Sequence, residues 1–361
     1  MSVERDSFRF IDHWRTAASW AFAMALAAPV MAARPQLGIV QLTVTTGCDG
    51  NFYPALDATG QKIAFTSFCD LVPGGNADGN SELFFINADG TGLRQLTASI
   101  GGVGSFNTSL DPGGHRIVFT SDRDLLPGEN ADGNLELFGI NVDGTGLRQL
   151  THTTGGNQPC GFPGNSHPRF DFSGQKITFD SDRDLVPGQN ADGNGELFVM
   201  NADGTGVVQL TSTTGNCGSG EGSLDGTGTQ VVFDSDHDLV PGGNVDGNSE
   251  IFKMNVDGSG LVQLTNTVNP NGVGSFQPWW TADTKTIVFV GDGSDGVTLQ
   301  LFRMNGDGTR IVQVTYAPSI LTSPWGITPD GKTISIESPS DLVPGSNSDL
   351  NFELYLMRLR P

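Results

Sequence analysis

Short apolar stretches bounded by Gly, Asn and Asp recur along the whole chain, and within each the hydrophobic residues alternate with polar ones. KIAFTS from Lys62, HRIVFTS from His115 and QKITFDS from Gln175 are of this kind. Alternation of period two over so short a run predicts a β-strand, and the turn residues between runs predict hairpins. The strands follow one repeated order. Aligning on the aromatic of a Glu-Leu-Phe signature gives Phe84, Phe138, Phe198, Phe252, Phe302 and Tyr355, six units at steps of 54, 60, 54, 50 and 53 residues. Each unit opens with a segment ending at Asp57, Asp111, Asp171, Asp225 or Asp330 and a Gly-containing turn; unit five has Thr281, Ala282 and Asp283 there. An alternating strand, a longer polar loop, a strand such as ELFFIN, a tight N-x-D-G turn and a last strand such as LRQLT complete the unit.

Four short strands per unit, each unable to hold an apolar face alone, predict an all-β, six-bladed β-propeller of four-stranded blades. Phe65, Phe119, Phe179, Phe233 and Phe289 on the second strand, with the aligned aromatics on the third, are the expected packing faces between blades. After Tyr355 the chain ends at Pro361 without a fourth strand. LGIVQLT, ending Gln41, Leu42, Thr43 as Gln95, Leu96, Thr97 do, is therefore expected to close the ring as the last strand of blade six.

The amino-terminal stretch follows a different pattern. Arg5, Arg9 and Arg15 precede an apolar run from Ala17 to Ala33, with small residues at Val30 and Ala32, which reads as a secretory signal peptide over residues 1–33 and a single propeller domain over 34–361. The alternative, an uncleaved anchor, is disfavoured because the run falls short of the roughly 20 residues of a spanning helix and contains Pro29. Export places the chain in the periplasm or outside the cell, with no stable membrane insertion after signal removal.

Composition narrows the partners. Gly 50 and Pro 19 in 361 residues fit a turn-rich fold and disfavour helical bundles. The net charge of -21 opposes phosphate backbones and anionic lipid, so nucleic acid is not expected as a partner and cations are. ELFFINADGTGLRQLT (Glu82 to Thr97) and SPWGITPDGKTISI (Ser323 to Ile336) resemble the repeat of TolB-type propellers over about residues 36 to 361. The resemblance implies a periplasmic or secreted binding scaffold with an envelope protein or glycan as partner, and a monomer is expected. Only about 17 residues, Arg34 to Gly50, separate the expected cleavage point from the first blade, so the α/β domain that precedes the propeller in TolB is not expected.

One constellation stands above the turn chemistry. Between second and third strands five units share D-L-[VL]-P-G-x-N-x-D-[GL]-N-x-E. Carboxylates and amide oxygens crowded this closely repel unless a cation, an arginine or main-chain N–H groups compensate. Calcium takes such a ligand set. The candidate ligands are Asn76, Asp78, Asn80 and Glu82; Asn130, Asp132, Asn134 and Glu136; Asn190, Asp192, Asn194 and Glu196; Asn244, Asp246, Asn248 and Glu250; and Asn347, Asp349, Asn351 and Glu353. Unit five keeps Asp292 and Asp295 without the pattern, and no site is expected there. The metal-free alternative is a hydrogen-bonded turn in which Glu82 and its equivalents cap N–H groups or pair with Arg123 and Arg183. Asn-x-Asp-Gly in the later hairpins, as at Asn87 to Gly90, is read as turn chemistry alone.

Cys48, Cys69, Cys160 and Cys217 can pair in three ways in an oxidising compartment. Placing blade connections and first-face loops on one side favours Cys48 with Cys69 and Cys160 with Cys217. GITPDGKT from Gly326 matches a phosphate loop, and Gly291, Gly293 and Gly296 a dinucleotide motif, but each leads into an alternating strand where a helix is required, so neither reading stands. No nucleophile-elbow or zinc-protease motif occurs. The expected protein is not an enzyme. The alternative is a carbohydrate-active hydrolase or lyase using His167, Arg169 and Asp171 in the central channel, with Trp279, Trp280 and Trp325 stacking sugars.

Overall fold

A computed structural model describes residues 38–101, 103–155, 164–215, 218–268, 274–293, 298–315 and 324–359. Among these residues there is no helix, and the strands form six four-stranded antiparallel sheets. Blade one is Asn51–Leu56, Lys62–Ser67, Glu82–Asn87 and Arg94–Gln95, numbered here from the axis outward, and blades two to five repeat it. Blade six takes Pro324–Ile327, Thr333–Ser338 and Glu353–Arg358 from the carboxyl-terminal end and Gly38–Gln41 from the other. The closing register is Ile39 opposite Met357, Val40 opposite Leu356 and Gln41 opposite Tyr355. The ring closes as the sequence predicts.

Each interface between blades is one apolar cluster. Leu56, Ile63, Phe65, Phe84 and Ile86 of blade one pack on Leu354 and Leu356 of blade six, and Ile117, Phe119, Phe138 and Ile140 of blade two pack on Ala64 and Leu83 of blade one. The cross-strand pairs Phe65–Phe84, Phe119–Phe138, Phe179–Phe198, Phe233–Phe252 and Phe289–Phe302 are stacked at 5.6, 5.8, 5.5, 5.8 and 5.5 Å between centroids. A ring of this size contributes about 1.5–3 kcal/mol when fully buried, so the repeated pair is the main apolar term of each interface. In blade six Ile336 and Tyr355 occupy the pair, and the Tyr355 hydroxyl donates to the Ser340 carbonyl at 2.9 Å.

The polar loops obey a backbone constraint that the sequence meets with glycine almost everywhere. Gly79, Gly133 and Gly247 in the loops of blades one, two and four have φ of 69°, 70° and 68°. Leu350 holds the same place in blade six at φ 58°. A leucine there is strained by about 1–2 kcal/mol, so the surrounding loop, not the residue, dictates the conformation. Close approach imposes a second constraint. Gly50, Gly104, Gly164 and Gly274 head their inner strands against main-chain oxygens of Phe352, Ser81, Leu135 and Ser249 in the preceding blade, where a Cβ would overlap them.

Two substitutions separate these constraints. Leu350→Gly should raise stability by up to about 1 kcal/mol, since Leu350 is half exposed and buries little. Gly104→Ala should lower it by at least about 2 kcal/mol. Urea denaturation of the two variants beside the parent protein checks both signs.

Candidate functional site

The innermost strands all carry a bulge. Pairing with the second strand slips between Phe52 and Ala55, Phe106 and Ser109, Ser166 and Arg169, Gly220 and Ser223, Phe276 and Trp279, and Pro324 and Gly326. In five blades the bulge holds a non-glycine residue at positive φ: Tyr53 55°, Asn107 46°, His167 47°, Glu221 52° and Gln277 50°. Trp325 sits in the sixth. Strain kept at five equivalent positions marks a constraint, and a bulge re-aims the side chain it carries. These side chains meet at the axis. The imidazole of His167 in blade three lies 6.3 Å from the ring of Trp325 in blade six, nearly parallel at 13°, and Tyr53 packs edge-on to Trp325 at 4.6 Å.

Charged groups tie this layer together. His167 Nδ1 is 2.8 Å from Asp180 Oδ2, and its Nε2 is 3.8 Å from Glu221 Oε1. Arg169 donates to the carbonyls of Glu221 at 2.8 Å and Pro278 at 2.9 Å and to Glu221 Oε2 at 3.3 Å, while its guanidinium lies 4.0 Å from the Trp279 ring centroid. Gln277 donates to Glu221 Oε1 at 3.2 Å. Three second-strand carboxylates complete the layer by accepting the bulge N–H of the following blade: Asp180 from Glu221 at 2.9 Å, Asp234 from Gln277 at 2.9 Å, and Glu337 from Tyr53 at 2.6 Å.

Burial sets the protonation here. It pushes Glu337 up to about 8 against the opposing hydrogen bond from the Tyr53 N–H, and it raises Asp234, with the charge of Glu221 adding to the effect. Burial alone would lower His167, but the hydrogen bond to Asp180 and the charge of Glu221 outweigh it and leave the imidazole raised. Farther out, Asp182 is raised to about 7 by burial despite Arg183 3.2 Å away.

At one end of the axis a cavity of about 40 Å³ is lined by Phe170, Trp279, Trp325, Ser109 and Ser223, enough for a few waters. His167 and Arg169 do reach the axis. Asp171 does not act with them: its carboxylate accepts the N–H groups of Gln175 and Lys176 at 2.8 and 3.0 Å and the Ser173 hydroxyl at 2.6 Å. Trp280 is buried between blades four and five, whereas Trp279 and Trp325 face the channel. Asp180, Glu221, Asp234 and Glu337 escape a sequence reading, although an acid at a buried second-strand position where other copies have Thr66, Thr120 and Val290 is a visible signal.

The loop face has its own chemistry. Glu82 is buried, and its carboxylate accepts the Thr97 hydroxyl at 2.5 Å and the N–H and hydroxyl of Ser99 at 2.6 Å each. Glu136 takes the same donors from Thr151 and Thr153, and Glu196 from Thr211 and Thr213. Glu250 binds the N–H and hydroxyl of Thr267, and Glu353 those of Thr45 plus Asn51 Nδ2 at 3.1 Å. Arg123 and Arg183 pair with Asp122 and Asp182 instead of with these glutamates. Asn76 donates to the Asn80 carbonyl at 2.8 Å, Asn80 to Ser99, and Asp78 accepts the Gly101 N–H at 2.9 Å. Asn130, Asn190, Asn244 and Asn347 make the first bond in their own loops, and Asn134, Asn194, Asn248 and Asn351 grip Thr153, Thr213, Thr267 and Thr45. Asp132 accepts the Gly155 N–H at 3.0 Å, and Asp192, Asp246 and Asp349 occupy the equivalent exposed positions. Among the described residues no group of three or more His, Cys, Asp or Glu side chains is arranged to hold a metal.

A disulfide joins Cys48 to Cys69 across a separation of 21 residues, as expected; Cys160 and Cys217 lie outside the described residues. Of the discarded motifs, Gly326 leads through a turn to the strand Thr333–Ser338, and Gly291 lies in the strand Thr286–Asp292, with Leu299–Asn305 the next strand described. Among the described residues no helix is long and apolar enough to cross a membrane.

No family model matches the sequence, and no curated protein matches it. Solved structures do resemble the fold. TolB from Acinetobacter baumannii is 16% identical with a TM-score of 0.56 over 83% of this chain and 64% of its own, so the chain spans under two thirds of that protein. A protein assigned as TolB from Agrobacterium tumefaciens is 14% identical with a TM-score of 0.52, over 86% of this chain and 90% of its own. Hydrazine synthase from Kuenenia stuttgartiensis, 15% identical with a TM-score of 0.51, covers 77% of this chain and 42% of its own. The likeness establishes a six-bladed propeller of the TolB kind. The same fold serves proteins of unrelated activity, so function rests on the sites.

The axial layer predicts a pH dependence. Glu337 binds its proton up to about 8 when folded and only to its ordinary value of 4.5 when unfolded, so its contribution is present at low pH and declines as pH rises between these values. Glu337→Gln should remove on the order of 3 kcal/mol from the difference in stability between pH 5 and pH 8.5, measured by urea denaturation at both.

Proposed function

We propose that the protein is an exported, non-enzymatic propeller that serves as a binding scaffold in the cell envelope, presenting its loop face to a protein or glycan. One observation carries this reading: five copies of the same loop hold an exposed aspartate in a fixed, ionised state. Main-chain N–H groups of Asn76 and Gly74 hold Asp70 below the usual carboxylate range, Asp124, Asp184 and Asp238 are held by the equivalent N–H groups, and Asp341 chiefly by that of Gly345. Loops ordered in advance lose less entropy when a partner docks, and the array of carboxylates favours a partner with cationic or hydroxyl-rich surface.

The axial layer supports the same reading, since His167, Arg169 and Glu221 are engaged with one another.

Ala77, Ala131 and Ala191 are exposed at the loop tips and make none of the loop bonds, so Ala77→Lys, Ala131→Lys and Ala191→Lys together alter the face without unlocking it. The native protein immobilised against a solubilised envelope fraction and a glycan array should retain a specific partner, and the triple variant should lose most of it. Equal retention by both, or polysaccharide turnover abolished by His167→Ala, would contradict the reading.

A further inference from the structure

Five loops share a polar defect that their hydrogen bonds leave unresolved. In each, both asparagine side chains donate through Nδ2, yet the amide oxygens of Asn76 and Asn80, Asn130 and Asn134, Asn190 and Asn194, Asn244 and Asn248, and Asn347 and Asn351 are buried with no hydrogen-bond partner. Asn76 is 3% exposed and Asn194 0%. Buried amide oxygens are ordinarily satisfied, and an identical orphaned pair in five loops is a built feature, not an accident of one side chain.

A carboxylate lies close to the pair in sequence and reaches the same connection. Asn76 Nδ2 lies 2.8 Å from the Asn80 carbonyl, Asn80 Nδ2 3.5 Å from the Gly101 carbonyl, and the Gly101 N–H 2.9 Å from Asp78 Oδ2. Asn76 is thus bonded to Asn80 within the loop, and Asn80 and Asp78 both reach Gly101 in the blade connection. Both oxygens of Glu82 already accept protein donors, whereas Glu250 Oε2 in blade four has none.

We propose that each of these five loops binds one calcium ion on the two asparagine amide oxygens and the Asp78-type carboxylate, with water and main-chain carbonyls completing the shell. Oxygen-only ligands on a turn suit a hard cation, and calcium tolerates irregular geometry that magnesium does not. With one carboxylate per site the affinity belongs to the weak extracellular range, a Kd on the order of 10⁻⁴–10⁻³ M. The cation would pin each loop to the connection entering the next blade. Partner binding is a separate matter, since the ion count is measured with no partner present.

The test is calorimetric titration of calcium chloride into EDTA-treated, dialysed protein, with thermal unfolding in calcium, magnesium or potassium chloride at matched ionic strength. Expected are up to five weak sites and a rise in melting temperature specific to calcium. Asp78→Asn should delete one site while leaving the circular dichroism spectrum unchanged, and Asp78→Asn, Asp132→Asn, Asp192→Asn, Asp246→Asn and Asp349→Asn together should abolish the rise. Absence of heat up to 10-fold above the expected Kd range, an equal rise with magnesium, or a full site count in the five-fold variant would overturn the proposal.

Discussion

A buried glutamate holds each of five blades to the connection that leaves it. In blades one to three the carboxylate, at the head of the third strand, accepts from partners 15 and 17 residues onward, a threonine hydroxyl and then the N–H and hydroxyl of a serine or threonine, as in Glu82 with Thr97 and Ser99; Glu250 in blade four binds the second of these, Thr267, and its Oε2 has no partner. The threonine hydroxyl in turn accepts the N–H of the residue after the glutamate, Leu83 from Thr97 at 2.8 Å. Third strand, fourth strand and connection are therefore one hydrogen-bonded unit. Loss of the acceptor would strand buried donors at about 1–3 kcal/mol each. Blade six uses the same device to close the ring: its Glu353 binds Thr45, and Leu354 donates to Thr43 at 2.9 Å, joining positions more than three hundred residues apart. In blade five Gln300 stands in place of the glutamate and accepts the Thr315 hydroxyl at 2.8 Å.

Two faces follow from this frame. The loops are held from below by the glutamates and from within by asparagine pairs, which leaves the aspartates free to face solvent as fixed charges. At the axis, bulges turn one residue of every inner strand inward, and the different chemistry of those residues converts a pseudo-symmetric ring into an asymmetric plug. Blades three and four contribute His167, Arg169 and Glu221, and blade six contributes Trp325 and Glu337. The network crosses the channel, so it locks the blades' relative positions as well as filling the space between them.

Much of the fold was legible because each blade repeats the same local signals. The Glu-Leu-Phe aromatics, the Asp-Gly turns and the LGIVQLT segment specify strand count, phase and closure without long-range information. The glutamate's role was harder to read, since a carboxylate beside Asn and Asp serves equally as ligand or cap. Its partner was in plain sequence all along: Thr-x-[Ser/Thr] follows four of the five glutamates, Thr43-Val44-Thr45 near the amino-terminal end serves Glu353, and Thr315 is followed by Ala317 where Gln300 stands. The axial layer was only partly legible. His167 and Arg169 could be placed on an inner strand, but a bulge shifts alternation by one, and period-two reasoning cannot say which residue then faces the axis. Trp280 illustrates the difficulty, for it shares a strand with Trp279 and points into the blade interface.

Amide hydrogen exchange of residues 38–45 in the native protein and in Glu353→Ala addresses the clamp most directly. If the glutamate holds the ring shut, the variant should exchange Gly38–Gln41 and Thr45 orders of magnitude faster than the native protein, with the inner strands of blades two to four little changed at early times. Native-like protection of that segment in the variant would contradict the account.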